Sequence, residues 1–514
     1  MIKLEIVDGS LQISINGSII LVAPKNSCAI DVLSLYDAIP LAVIYNKYLG
    51  TSTNIFTQPL ANCEDSTNMP FTVNSFIAFA EANLGFDTAG GGTISPFEYN
   101  ANATGIQPIL GGNTASGVYS TIGGGKNNSS SGGATVGGGY NNTTSNSYAT
   151  ISGGYCNNSS GIESTIGGGS YNTASNLAST IGGGRSNTAS GTCSTIGGGC
   201  SNIASCDFST VGGGDSNTSC GIQSIIGGGS INIAFGTNST VGGGRNNCAT
   251  AIYSTISGGR NNCATNCCSV VSGGYQNNAS GNYSTISGGN NNTASIDGAT
   301  IGGGSGNISC GIRGTISGGG QNRVYGNYSN IGGGEQNCIF SCFGTISGGF
   351  SNCVCNNKYS TIGGGCNNKA FGDSSTIGGG RYNTASAYYS TIGGGKSNIA
   401  SGCNSTIVGG SQNTASEHYS FIGGGRLNTA SSCYSTISGG RYNSASGNYS
   451  TIVGGRFNNT YGCDDVTIAG RCITANRAFT TFVNNLSIMN IPTSSAGLPS
   501  GAVWSDSGIL NIVP

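Results

Sequence analysis

Any catalytic chemistry in this chain would have to start from one imidazole, because His418 is the only histidine. A Ser-His-Asp or Cys-His constellation could use no other base, and no partner pattern surrounds that position. Carboxylates are sparse, 19 in 514 residues, and no spaced pair of the glycosidase kind stands out. The Gly-Gly-Gly elements resemble phosphate-cradling loops only superficially, since they lack the following Lys-Ser/Thr and recur along most of the chain. The 21 cysteines, among them Cys156, Cys193, Cys200, Cys206 and Cys220, fill no single phase for long. They read as small, mildly apolar fillers; a metal site or disulfide ladder is the alternative. Cys267-Cys268 and Cys353-x-Cys355 lack the second ligand pair that a zinc site needs. No enzymatic activity, cofactor or metal is expected.

Composition points to a repeat. There are 93 glycines and only 7 % charged residues, against an ordinary charged share of about 25 %. Low charge argues against a disordered tail, and the lack of a Gly-X-Y period argues against collagen. With a net charge of −1 there is no electrostatic footprint for nucleic acid. No run of 18 apolar residues occurs, so no membrane insertion is expected. Met1-Ile-Lys-Leu-Glu-Ile does not read as a secretory signal. The expected location is therefore the compartment of synthesis, or a larger assembly such as a virion.

The repeat is read by phase. Let position 0 be the Ile or Val of Thr-Ile-Gly-Gly-Gly, which recurs 24 times from Ile122 to Ile468, with 15-residue spacing except for one step of 14 and two of 16. Ile166, Ile181 and Ile196 are typical. Position −2 is nearly always Ser, Ala or Gly, and +8 is mostly Ala. Position +6 is Asn in every coil but the last, as at Asn172, Asn187, Asn202 and Asn217. Period 2 puts −2 with 0 on one strand face and +6 with +8 on another. Each coil is then strand, Gly-Gly corner at +2 and +3, strand, and a second corner often bearing Gly at +10. The fold class is all-β: a parallel β-roll, or solenoid, of about 24 coils of 15 residues. Stacked strands about 4.8 Å apart would give a rod of about 115 Å. The inward Asn must be hydrogen-bonded, and stacked copies can bond one another and the corner backbone. A ligand-binding Asn would not need to recur at one inward phase.

So thin an inward set suggests that an outward face is shared with other chains. Position −1 is Thr in 20 coils; Ile225, Val270, Asn330 and Phe421 are the exceptions, and none is charged. Position −3 tolerates Glu163, Arg313 and Asp465, and +4 is rich in cations (Arg185, Arg245, Arg381, Arg426, Arg441), so both read as solvated. The expectation is a homotrimer, intertwined or side by side, with the Thr face towards the axis. Tyrosine recurs at −3, and Tyr389, Tyr419, Tyr434 and Tyr449 are candidate surface contacts that could stack on sugars. The alternative is that Tyr is simply a good strand residue.

The string Ser-Thr-Ile-Gly-Gly-Gly-x-x-Asn-Thr-Ala-Ser-Gly-x-Tyr-Ser is nearly intact around Ile181, Ile377 and Ile437. It resembles the head repeats of trimeric autotransporter (YadA-like) adhesins, and it is similar to repeats of phage tail and head fibres. The resemblance covers roughly residues 115–474 and implies a left-handed parallel β-roll trimer that binds cell surfaces. The chain departs from the autotransporter pattern in its longer repeat, and no signal peptide, long coiled-coil stalk or membrane anchor is read in it. The segment from Asn490 to Leu510 is similar to the C-terminal segments of many phage virion proteins.

Four regions follow. Residues 1–95 form a small N-terminal α+β or β domain, with hairpin signals at Asp8-Gly9 and Asn16-Gly17 and a helix signal over Thr72–Gly85. It would attach the rod to a virion or carrier component; the alternative is a cap and trimerisation module. Residues 96–108 read as a linker, 109–474 as the β-roll with a shortened entry coil at Ile109, and 475–514 as a closing neck. The functional expectation is a structural fibre protein of a phage or other virus, located in the virion and assembled in the host cytoplasm. It would meet a host cell-surface molecule, a glycan among the candidates. A bacterial trimeric adhesin or extracellular fibre subunit is the alternative, and an ice-binding solenoid with flat Thr rows is the second.

Overall fold

The computed structural model describes residues 2–7, 10–15, 18–23, 97–99, 106–109, 111–355, 358–485, 491–506 and 509–513. The expected helix over Thr72–Gly85 lies outside these residues, as does most of the 1–95 region. The chain divides into two compact units, Met1–Cys156 and Asn157–Pro514. Repeating coils of about 15 residues, about 25 turns in all, make an all-β parallel solenoid.

The first unit opens with three strands, β1 (Ile2–Val7), β2 (Ser10–Ile15) and β3 (Ser18–Ala23). They form an antiparallel meander in which Val7 faces Ser10 and Ile15 faces Ser18, with a bulge between Ile13 and Ser14. The hairpin signals at Asp8-Gly9 and Asn16-Gly17 lie outside the described residues. Within 96–108, Phe97–Tyr99 pairs antiparallel with Ile106–Pro108, and Ile106 pairs in parallel with Thr121 of the first full coil. This stretch thus begins the isoleucine sheet. The buried Asn row begins one coil earlier than the full repeats, because Asn113 Oδ1 accepts the N–H of Asn128 at 3.0 Å.

The second unit shows how a coil is built. Its isoleucine strands stack in parallel, as in Thr180↔Thr195 and Ile181↔Ile196, and its alanine strands do the same, as in Thr188↔Ile203 and Ala189↔Ala204. Ile166, Ile181, Ile196, Ala174, Ala189 and Ala204 are wholly buried, together with Ser164, Ser179, Asn172 and Asn187. The alternation expected at −2/0 and +6/+8 therefore sets the interior. Most backbone N–H groups point forward to the next coil: Thr180 to Ser194 O, Gly182 to Ile196 O, Arg185 to Gly199 O, Thr188 to Asn202 O and Ser190 to Ala204 O, each at 2.8 Å.

The corners differ from the sequence expectation. Of the two corner glycines, +3 is the one that must be glycine. Gly184 has φ 92°, and an added Cβ would lie 2.1 Å from the carbonyl oxygen of Gly199. At +2, Gly183 has no left-handed φ, and an added Cβ would meet nothing within 4 Å. The second corner turns at −3, where non-glycine residues adopt left-handed backbone: Ala178 (φ 52°), Cys193 (φ 54°) and Phe208 (φ 59°). Position +5 does likewise, as at Ser186 and Ser201 (φ 56° and 53°). Such backbone costs about 1 kcal/mol or more for a residue with a Cβ. It is held because these two N–H groups point backwards, Cys193 to Leu177 O and Ser201 to Arg185 O, each at 2.8 Å. The turn is thus imposed by the preceding coil.

One edge of the isoleucine sheet is covered. Thr467–Ala469, the last isoleucine strand, pairs in parallel with Thr481–Val483, which sets Phe482 over Ile468. Val503–Asp506 and Ile509–Ile512 then form an antiparallel hairpin.

Candidate functional site

In the described coils the interior is occupied mainly by Ile, Ala, Ser and Asn side chains. Asn187 Nδ2 donates to Gly183 O and to Gly199 O of the next coil, both at 3.0 Å, while its Oδ1 accepts the N–H of Asn202 at 2.9 Å. Asn172, Asn202 and Asn217 repeat the pattern. The amide of each rung binds backbone of its own coil and of the next, and direct Asn–Asn bonds such as Asn217 Nδ2 to Asn202 Oδ1 (3.1 Å) are only occasional. Some Ser at −2 return their hydroxyl to the corner carbonyl three residues earlier, as Ser179 does to Asn176 O at 2.8 Å, whereas the buried hydroxyls of Ser194, Ser209, Ser239 and Ser405 have no partner.

Outside, side chains of one phase form rows. Tyr419, Tyr434 and Tyr449 are exposed and make one continuous stack, with ring centroids 4.8 and 4.9 Å apart and planes within 6°. Tyr389 stands apart from them, edge-on to Tyr388 at 5.1 Å, because Asn404 occupies the intervening position. All four have left-handed φ of 54–58°, so they are corner residues and not strand residues. Stacking also changes what they offer. Inside the row each ring face covers its neighbour, so a ligand meets ring edges and hydroxyls, and only the end rings present a free face. A second short stack, Tyr328–Phe343–Tyr359, repeats this with centroids 5.2 and 4.9 Å apart. Beside Tyr389, the carboxylate of Asp373 holds the Tyr388 hydroxyl above its ordinary pKa through a hydrogen bond.

The cysteines do not converge on a site. Cys353 and Cys355 are joined by a disulfide, and the other described cysteines are free. Burial pushes the thiols of Cys220, Cys248 and Cys263 up, and that of Cys338 up to about 11. These thiols are protonated at neutral pH, the opposite of an activated nucleophile. Among the described residues no three His, Cys, Asp or Glu side chains group to hold a metal, and no helix is long and apolar enough to cross a membrane. His418 lies in a corner, where its carbonyl accepts the N–H of Tyr434 at 2.9 Å.

One row was not singled out by the sequence reading. By composition position +4 reads as generally solvated, yet its cations cluster in one stretch: Arg381, Lys396, Arg426, Arg441 and Arg456, with Ser411 between the second and third. Following one phase along the chain, in place of pooling it over all coils, would have exposed the run.

Fold and surface together define a parallel β-solenoid repeat protein with an Asn-laddered core and an exterior organised in rows. No family model matches the chain, and no curated protein is significantly similar to it.

Proposed function

We propose that this chain is a structural fibre subunit of a virus particle, joined to the virion through its N-terminal region and presenting its solenoid to a host cell surface. The observation that carries this is the strict register of the coils. The same inward residues repeat without a catalytic constellation, so what varies along the chain, and can be recognised, is the set of outer rows. The likeness of the repeat to adhesin and phage-fibre heads, and of the 490–510 segment to virion proteins, favours the particle; an extracellular adhesin is the alternative.

Assembly as a homotrimer completes the proposal. Position +2 is Gly in all 24 coils. Yet an added Cβ at Gly183, Gly258, Gly333 or Gly379 would meet nothing within 4 Å of its own chain. Beside it, the Thr row at −1 is half-buried and carries no charge. A bare backbone edge next to an uncharged face suits close approach by another copy. The test is immunogold electron microscopy of the source particle with an antibody to the full chain, alongside the solution mass of the full chain. Labelled fibres and a trimeric mass are expected, and Thr210→Glu with Thr240→Glu should lower the mass to that of a monomer. Label absent from particles would overturn the fibre reading. A monomeric wild-type chain at micromolar concentration would overturn the trimer.

A further inference from the structure

The corner between the isoleucine and alanine strands carries one side chain per coil at +4. From Arg381 to Arg456 these positions are register neighbours, each paired in parallel with the next, at a strand spacing of about 4.8 Å. Five of the chain's 18 Lys and Arg stand in this single line, in a protein of net charge −1. All five are exposed. The acidic residues of the same coils, Asp373, Glu417, Asp464 and Asp465, fall at the phases of the opposite corner.

Such a line costs the fold repulsion, since like charges on adjacent strands repel. Ser, Asn, Gly and Tyr fill the same phase elsewhere at no such cost, as at Ser170, Asn290, Gly320 and Tyr275. The guanidinium groups are also positioned. Arg381 lies 4.7 Å over the ring of Tyr382 and donates to its hydroxyl at 3.2 Å. Arg441 lies 4.8 Å over Tyr442, whose ring stacks on Phe457 at 5.0 Å. Alongside runs the +2 glycine row, where no side chain rises from the corner.

We propose that this line is a docking track for a linear acidic polysaccharide, one that carries sulfate or carboxylate on successive sugar residues and lies along the stack. The repeat of an extended sugar chain is close to the strand spacing, so one anionic group can meet one coil. Nucleic acid fits less well. The track is one charge wide, and the rings of Tyr382 and Tyr442 are covered by guanidinium or by a neighbouring ring, which leaves little aromatic face for a base. This inference rests on the surface-attachment reading and names the ligand class for it.

The experiment titrates the full chain with a heparin oligosaccharide by calorimetry at several salt concentrations. Arg426→Ser with Arg441→Ser is the test variant, since Ser411 shows that Ser is accepted in the row. Thermal melting checks that it folds. Binding is expected to weaken at least ten-fold, with the log–log salt slope reduced by about two. Arg185→Ser with Lys369→Ser, the first at the same phase in a coil outside the run and the second at another phase, should change affinity less than two-fold. The proposal is overturned by absence of heparin binding at low salt, by equal loss in the control variant, or by equal binding of neutral dextran. It is also overturned if a single-stranded oligonucleotide binds more tightly with the same dependence on Arg426 and Arg441. Failure here leaves the particle-labelling result untouched, so the two readings fail separately.

Discussion

At the scale of a residue, the buried Asn is what allows so slender an interior. A coil has only one Ile and one Ala fully inside, and the corner carbonyls of two successive coils need donors. Asn217 supplies both, to Gly213 at 3.0 Å and Gly229 at 2.9 Å, and accepts from Asn232. Asn217→Ala removes three bonds: it strands the buried Asn232 N–H and takes a donor from Gly213 O, while Gly229 O keeps the N–H of Asp215 at 2.9 Å. At about 1–3 kcal/mol for each unsatisfied group, the local cost is several kcal/mol. Hydrogen exchange should show protection lost around residues 213–232, with remote coils unaffected; uniform protection would mean the amide is not structural. Thiol chemistry gives a second residue-level outcome. Burial raises the Cys338 thiol to about 11, against a weaker opposing pull from Arg323. The folded chain therefore holds this proton to higher pH than the unfolded chain. Its contribution is intact below the unfolded thiol's pKa near 9 and is lost as pH rises towards 11. Alkylation by iodoacetamide at pH 8.5 should label exposed Cys193 and Cys472 first, with Cys338 about a hundred-fold slower from its thiolate fraction. Comparable rates would show that Cys338 is not shielded.

At the scale of the element, the strands were legible in the sequence and the corners were not. The inward phases at −2, 0, +6 and +8 could be read because alternation is local: Ser179, Ile181, Asn187 and Ala189 each report the side they face. The left-handed residues at −3 and +5 carry no such report. Tyr419 and Cys193 are poor left-handed formers, and they are held there by a carbonyl of the preceding coil, a cause some 16 residues away. For the same reason the stacking of Tyr419, Tyr434 and Tyr449, which decides what the row can present, could not be read from any one of them. Compensation across the coil could have been read and is testable. Where +8 grows to Val324, Ile339 and Val354, −2 shrinks to Gly314 and Gly344. A Cβ on Gly344 would lie 2.6 Å from Ile339 Cγ2. Gly344→Ala should destabilise by about 1–3 kcal/mol through overpacking. Adding Ile339→Ala should recover part of that loss, so the double mutant is less destabilised than the sum of the singles. Strict additivity in denaturant melts would show that the two sites do not share one space.

At the scale of the whole molecule, each coil contacts mainly the coil before and after it, so stability should behave as a sum of coil and interface contributions. The chain's own irregularities indicate where such a stack tolerates change. The 16-residue steps, Ile346 to Ile362 and Ile452 to Ile468, keep Thr345↔Thr361 and Thr451↔Thr467 in register, and the extra residue is absorbed outside the strands. A deletion should then be judged by phase more than by length. Removing residues 182–196 joins Ile181 to Gly197 and restores an unbroken series of inward Ile, Asn and Ala. Removing only 182–189 joins Ile181 to Ser190, deletes the Asn187 rung and one glycine corner, and leaves the alanine strands of the coils on either side without their intervening partner. The longer deletion should melt within a few degrees of the parent in a single transition. The shorter one should melt lower and broader, as two blocks that no longer share an interface. Calorimetry of both variants reads this directly. A 15-residue deletion as damaging as the eight-residue one would mean that individual coils are specialised, and that stability depends on which coil is present and not on how many are stacked.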